Sequence, residues 1–192
     1  SFWENRPMDT FVIQGGQPLE GTVRINGSKN ASLPQIAAAL LTDEPVTLRD
    51  VPDLSDIRNM ARLMEALGCP VVRHGHELTI TTTQADNTLA HYDIVRTMRA
   101  SICVLGPLLA KRGEAKVSLP GGCNIGDRPV DLHIRGLRAL GANIHLDGGY
   151  IVASGHLRGA SVFMGGAFGS TVLGTANVMC AATLADGQTI LE

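Results

Sequence analysis

Residues 56–67 read DIRNMARLMEAL, with Ile57, Met60, Leu63, Met64 and Leu67 on one face and polar residues between them. That spacing predicts an amphipathic helix. Residues 130–140 (VDLHIRGLRAL) repeat the pattern, and both runs end in Leu-Gly, at Gly68 and Gly141. A glycine just past the last periodic residue suits a left-handed helix stop. Two β-rich runs around a glycine turn follow in each case, CPVVRHGHELTITTT and ANIHLDGGYIVAS, and these predict hairpins.

The same grammar extends upstream. Residues 28–48, 97–119 and 174–191 each carry small and aliphatic residues at helical spacing, then a polar turn, then a β-branched run. The runs at 46–48, 117–119 and 189–191 predict matched strands, so the chain repeats with a period near 72 residues. Each unit holds a helix, a strand, a second helix and a strand pair, enough to pack as one layer. The third copy reaches only its first helix and strand by Glu192 and is expected to be incomplete. Residues 11–13 (FVI) read as a strand lying ahead of the first unit. Residues 1–7 (SFWENRP) are set aside as a tag or N-terminal extension; they lack the basic-then-apolar order of a signal peptide.

Composition narrows the classes of function. In 192 residues there are 16 Lys and Arg against 18 Asp and Glu, with one Trp, two Tyr and four Phe. No basic run and no aromatic platform points to nucleic acid, and no apolar stretch is long enough to predict a membrane span. Cys69, Cys103, Cys123 and Cys180 have neither C-x-x-C nor metal-ligand spacing and read as a reduced, cytosolic set. His74 and His76, in RHGHEL, belong to a predicted hairpin turn rather than to a metal site.

Two stretches could carry chemistry. In INGSKNASLP, Lys29 and Asn30 open a predicted helix whose free N–H groups and dipole favour a phosphate or carboxylate. Arg99, in TMRAS, opens the matching helix of the second unit. A cation there opposes the helix dipole unless an anion joins it. In LPGGCNIGDRPVDLH, Cys123 follows two glycines and precedes Arg128, Asp131 and His133. Nearby cations and free N–H groups would lower its pKa and favour the nucleophilic thiolate; a small apolar residue packed under a glycine turn is the alternative reading. Lys29, Arg99, Arg128 and Cys123 are thus expected to converge on an anionic ligand. Asp131 and His133 lie two apart on one helix and point to different faces, which disfavours a Cys–His–Asp triad.

GSKNASLP, TMRASICVLGPLLAKRG, LPGGCNIGDRPVDLHIRGLRALGA and GTANVMCAATLADG together resemble the UDP-N-acetylglucosamine 1-carboxyvinyltransferases, the enolpyruvyl transferases that open bacterial peptidoglycan synthesis. The resemblance runs from about Met8 to Glu192. It implies an α/β (α+β) fold, an inside-out α/β barrel of the enolpyruvyl transferase type built from repeated βαβαββ-like units. Residues 8–20 would be a strand segment of the second domain and residues 21–192 most of the catalytic-side domain, with the rest of the enzyme absent. The implied reaction moves the enolpyruvyl group of phosphoenolpyruvate to the 3-hydroxyl of UDP-N-acetylglucosamine and releases phosphate, in the bacterial cytoplasm, with no cofactor and no metal. Cys123, Lys29 and Arg128 would be catalytic, with Cys123 a general acid, a site of adduct formation and the target of fosfomycin. Lys29, Asn30, Cys123 and Arg128 would bind phosphoenolpyruvate. Asn30, Arg99, Arg128, Pro129, Val130, Asp131, Leu132, Thr171 and Val172 would bind the sugar nucleotide. The segment MGGAFGSTVLGTAN departs from the family by being longer and richer in glycine, and Gly169 stands near a position that is lysine in some relatives. The general base would lie in the second domain, so the chain alone is expected to be inactive and to self-associate. The shikimate-pathway enolpyruvyl transferase shares the Gly-Ser-Lys start but lacks the cysteine loop. A non-catalytic nucleotide-sugar-binding module is the remaining alternative.

Overall fold

In the computed structural model, which describes residues 11–16, 18–82, 87–95, 98–119, 130–166 and 169–192, the elements run in two similar rounds and part of a third. The first round is α1 (Lys29–Ala38) with a 3₁₀ extension (Ala39–Leu41), β1 (Val46–Leu48), α2 (Ser55–Ala66), β2 (Val71–His74) and β3 (Glu77–Ile80). The second is β4 (Leu89–Ala90), α3 (Tyr92–Val95), a 3₁₀ run (Arg99–Val104) leading into α4 (Leu105–Arg112), β5 (Glu114–Ser118), α5 (Asp131–Ala139), β6 (Asn143–Asp147) and β7 (Tyr150–Ser154). The third holds β8 (Ser161–Val162), β9 (Gly165–Gly166), β10 (Gly169–Ser170), α6 (Val172–Ala182) and β11 (Ile190–Leu191).

The repeat written in the apolar pattern is a repeat of structure. Ile57, Met60, Leu63 and Met64 on α2 are fully buried. The helix stops at Gly68, φ 86°, where Gly68 N donates to Glu65 O and Cys69 N to Met64 O. α5 ends the same way: Gly141 has φ 96°, Gly141 N donates to Arg138 O and Ala142 N to Leu137 O. Both endings capture orphan carbonyls through a left-handed residue that only glycine adopts without strain. The two sheets also share an order, β1–β3–β2 and β4–β5–β7–β6. In each, the strand after the first helix pairs antiparallel with the second strand of the hairpin, Thr47 opposite Thr79 and Lys116 opposite Val152. β4 adds to β5 in parallel, and β8 adds to β11 in parallel.

The core lies among the helices that open each round. α1 packs on the 3₁₀ run and on α6, and α6 packs on the 3₁₀ run, α4 and α5. Ile36, Leu40, Leu105, Leu108, Leu109, Val178 and Ala181 are buried there. No helix is long and apolar enough to cross a membrane among the described residues.

Two segments differ from what their local sequence pattern predicts. Residues 11–13 form no strand: Phe11, Val12 and Ile13 are 91%, 92% and 86% exposed, and no ladder partner lies beside them among the described residues. β-branched composition makes a strand only where a neighbour takes up its N–H and C=O groups. The helix expected from residue 97 begins as a 3₁₀ turn and becomes α-helical only at Leu105, through a side chain contributed by another round.

Candidate functional site

Lys29 is the first residue of α1. Ser28 caps that helix, its Oγ accepting from Ala31 N at 3.4 Å while Ser32 Oγ donates back to Ser28 O at 2.8 Å. The Lys29 ammonium donates to Asp56 Oδ2 at 2.7 Å, across to the first turn of α2. The two side chains are 40% and 31% exposed, so the pair is open to a ligand and worth at most about 1 kcal/mol to the fold. Asn30 is exposed on the next position. Arg99 is the first residue of the 3₁₀ run and is half-buried. The two cations expected at equivalent helix starts therefore stand at equivalent helix starts, on elements packed against each other. Asp56 escaped sequence reasoning, because an acid in the first turn of a helix is ordinary dipole compensation and nothing local marks it as a lysine partner.

Cys123, Arg128 and Pro129 lie outside the described residues. The described cysteines bear on them indirectly. Cys69, Cys103 and Cys180 are all buried; burial pushes the Cys69 thiol up to about 11 and Cys103 up to about 12, and raises Cys180 as well. None of these three supplies a thiolate near neutral pH.

The segment after the cysteine loop meets the third round. Val130 is the N-cap residue of α5, half-buried, followed by exposed Asp131 and half-buried Leu132. The methyl groups of Leu132 close on Gly166, where a Cβ would meet both at 3.3 Å. Gly166 pairs with Gly169 in the β9–β10 hairpin, which runs directly into Thr171. Thr171 caps α6, its Oγ1 accepting from Gly174 N at 3.1 Å, and Val172 is 81% exposed at the helix start. Arg135, one turn into α5, donates through Nη2 to Phe163 O and Gly165 O at 2.7 and 2.5 Å. Residues 130–132 therefore stand beside the β9–β10 pair that leads into Thr171 and Val172, the other residues expected to contact the nucleotide.

His133 faces the interior while Asp131 faces solvent, as the helical spacing predicts. His133 is 6% exposed; burial pushes its pKa down to about 4, against the opposing pull of the Asp131 charge. Its Nδ1 lies 3.0 Å from Asn177 Nδ2 on α6. Asn177, 1% exposed, also accepts from Gly106 N through Oδ1 at 2.7 Å and donates to Ile102 O at 3.2 Å. Gly106 N–H and Ile102 C=O, four residues apart, would bond each other in a continuous α-helix. The Asn177 amide stands between them and satisfies both, a side-chain insertion of the kind that bends or rewinds helices. The 3₁₀ turn at residues 99–104 follows from it. The one sequence signal for Asn177 was an amide set among the small and apolar residues of GTANVMCAA.

Among the described residues, no group of His, Cys, Asp and Glu is arranged to hold a metal ion.

Comparison with known proteins places this geometry. A family model, EPSP synthase (3-phosphoshikimate 1-carboxyvinyltransferase), matches residues 13–192. The chain is 54% identical over 186 residues to the UDP-N-acetylglucosamine 1-carboxyvinyltransferase of Methylacidiphilum infernorum, a match covering 96% of this chain and 44% of that protein. It is 52% identical over 187 residues to the enzyme of the same name from Acinetobacter guillouiae, with the same coverage. The chain therefore spans under half the length of these relatives. Among solved structures, the enolpyruvyl transferase NikO from Streptomyces tendae superposes with a TM-score of 0.75 at 20% identity, covering 93% of this chain and 42% of that one. EPSP synthase from Acinetobacter baumannii gives 0.68 at 17% identity, over 89% and 40%. Sequence and architecture agree: with its repeated mixed α/β rounds, the chain belongs to the EPSP synthase family and has the enolpyruvyl transferase fold.

Proposed function

We propose that this chain is the phosphoenolpyruvate- and nucleotide-binding share of a UDP-N-acetylglucosamine 1-carboxyvinyltransferase of the bacterial cytoplasm. The carrying observation is identity above 50% along 96% of the chain to relatives of that name, against 17–20% to the superposed structures. The rest of such an enzyme would close the inside-out barrel, take up residues 8–20 as a strand and supply the general base, with residues 21–192 forming the catalytic-side domain.

In the proposed reaction the sugar 3-hydroxyl oxygen adds to C2 of phosphoenolpyruvate while a proton is delivered to the C3 methylene. Loss of phosphate and of a proton from the new methyl group then restores the double bond in the enol ether. Cys123 is the general acid at C3, and Lys29 and Arg128 neutralise the phosphate, the kind of preorganised charge that stabilises a developing anion. Lys29 suits this role because its ammonium has three donors and Asp56 engages one of them. Arg99, Asn30, residues 130–132 and residues 171–172 hold the sugar nucleotide, with Pro129 beside them.

Intact-mass analysis after fosfomycin treatment, with and without UDP-N-acetylglucosamine, tests the reading. A single adduct on Cys123 that forms faster with the nucleotide is expected. A chain in which a general thiol reagent labels Cys123 but fosfomycin does not, with or without nucleotide, would contradict a substrate site assembled by these residues.

A further inference from the structure

The Asn177–His133 contact departs from the repeat at both of its ends. Counting back from the helix-stop glycines Gly141 and Gly68, His133 falls on Met60, which is fully buried in the first round. Counting back from Leu191 and Leu119, Asn177 falls on Leu105, also fully buried. Two positions that the fold fills with apolar side chains elsewhere have become a polar pair, and the two replacements touch each other at 3.0 Å.

The hydrogen bonds fix the chemistry of the pair. Gly106 N–H can only donate, so the Asn177 atom 2.7 Å from it is the carbonyl Oδ1. The amide nitrogen is then directed at Ile102 O and His133 Nδ1, and its two hydrogens serve those two acceptors. His133 Nδ1 must carry a lone pair, which sets the ring as the neutral tautomer protonated on Nε2. Every polar atom of the Asn177 side chain is satisfied, as a buried amide requires.

We infer that Asn177 and His133 are positioning residues for the sugar nucleotide: their hydrogen bond sets the spacing between residues 130–132 at the start of α5 and residues 171–172 at the start of α6. His133 directly follows Leu132 in the first turn of α5, and Asn177 sits in the body of the helix that Thr171 caps. Arg135 and the Leu132–Gly166 contact hold the same turn from its other side. The first turn of α5 is therefore gripped from α6 and from the hairpin leading into α6, while Asp131 stays exposed. A ligand contacting both segments gains only if they are held at its width in advance. This inference rests on the nucleotide reading proposed above.

The test compares His133→Leu, which removes the acceptor at similar size, with His133→Gln, which can restore one. UDP-N-acetylglucosamine affinity is measured by calorimetry on the full chain, beside thermal midpoints. The inference expects roughly tenfold weaker binding in His133→Leu, the scale of a displaced positioning group, and recovery to within about threefold in His133→Gln. Binding in His133→Leu within twofold of the parent overturns the inference and leaves the nucleotide reading standing. A parent chain that binds no UDP-N-acetylglucosamine defeats that reading and the inference with it. Should His133→Leu fail to fold, NMR of the parent decides: the Asn177 side-chain amide must shift on nucleotide addition and saturate together with the backbone of residues 130–132. An amide that stays still while that backbone moves overturns the inference.

Discussion

Gly106→Ala is the most exacting test of how closely the first helices of the second and third rounds approach. A Cβ at Gly106 would lie 2.3 Å from Asn177 O, 2.5 Å from Asn177 Oδ1 and 3.1 Å from Asn177 C. Two of these contacts involve backbone atoms inside α6, so rotamer change cannot relieve them, and α4 must move away from α6 by the better part of an ångström. Overpacking of this kind costs about 1–3 kcal/mol. Stretching the Gly106 N–H to Oδ1 bond leaves a buried donor poorly satisfied, adding about 1–3 kcal/mol. Alanine recovers only about 1 kcal/mol of helix propensity over glycine. The net expectation is a loss of about 1–5 kcal/mol, centred near 3, which lowers the midpoint of a domain this size by roughly 5–15 °C at the centre of that range.

Gly136→Ala supplies the internal comparison. Its Cβ would meet Val178 Cγ2 at 2.4 Å, Val178 Cγ1 at 3.3 Å and Met164 Sδ at 3.2 Å, all side-chain atoms. Met164 adapts readily, although Val178, β-branched on a helix, adapts less. The cost is accordingly smaller, and much of it is offset by propensity, leaving about 0–2 kcal/mol. Urea or thermal denaturation of both variants, followed by circular dichroism, should rank Gly106→Ala well below Gly136→Ala. A Gly106→Ala midpoint at or above the parent's would refute the close approach, and with it the account of the 3₁₀ turn.

His133 sets an acid dependence of stability. Its folded pKa of about 4 lies below the ordinary 6.5, so below pH 6.5 the unfolded chain takes up a proton that the folded chain refuses. Stability should fall by about 3 kcal/mol as pH drops from 6.5 to 4, and chemical denaturation across that range should show His133→Gln lacking this component. Substituting Asp56→Asn should shift the thermal midpoint by no more than a few degrees, since the exposed pair with Lys29 is weak. Lys29→Ala should weaken phosphoenolpyruvate binding at least roughly tenfold by calorimetry, the weight of a charge-assisted contact; equal binding would remove Lys29 from the site. In the folded chain, a thiol reagent at pH 8 should modify Cys123 first, with Cys69, Cys103 and Cys180 protected by burial, and peptide mapping reads the order directly.

What the sequence made legible was what depends on neighbours along the chain. The face of Ile57, Met60, Leu63 and Met64, the stops at Gly68 and Gly141 and the hairpins after them are local in origin, so periodicity and turn chemistry found them. The placement of Lys29 and Arg99 at helix starts was legible for the same reason. The 3₁₀ turn at residues 99–104 was not, because its cause is the amide of Asn177, far along the chain. Asp56 was missed as the partner of Lys29 because the ion pair exists only once α1 and α2 pack. Residues 11–13 carry a strand composition but have no partner strand among the described residues, and local preference cannot say where a partner lies.

The repeat also explains where α5 departs from α2. Counting from the helix stops, Gly136 takes the place of Leu63 and His133 the place of Met60, on the face that α2 buries in full. In α5 those two changes admit α6: Gly136 lets Val178 approach, and His133 takes a hydrogen bond from Asn177. Had α5 kept a leucine and a methionine there, their bulk would fill the space that Val178 and the Asn177 amide occupy. Residues 130–132 would then stand farther from the hairpin that leads to Thr171. The symmetric positions build the scaffold, and the asymmetric ones set how closely α5 and α6 pack. Restoring the repeat residues with the paired change His133→Met and Gly136→Leu should therefore part the two segments more than either single change, seen as loss of the nuclear Overhauser contacts between Leu132 and Gly166. Retained contacts would show that the hairpin and Arg135 hold the turn without help from α6.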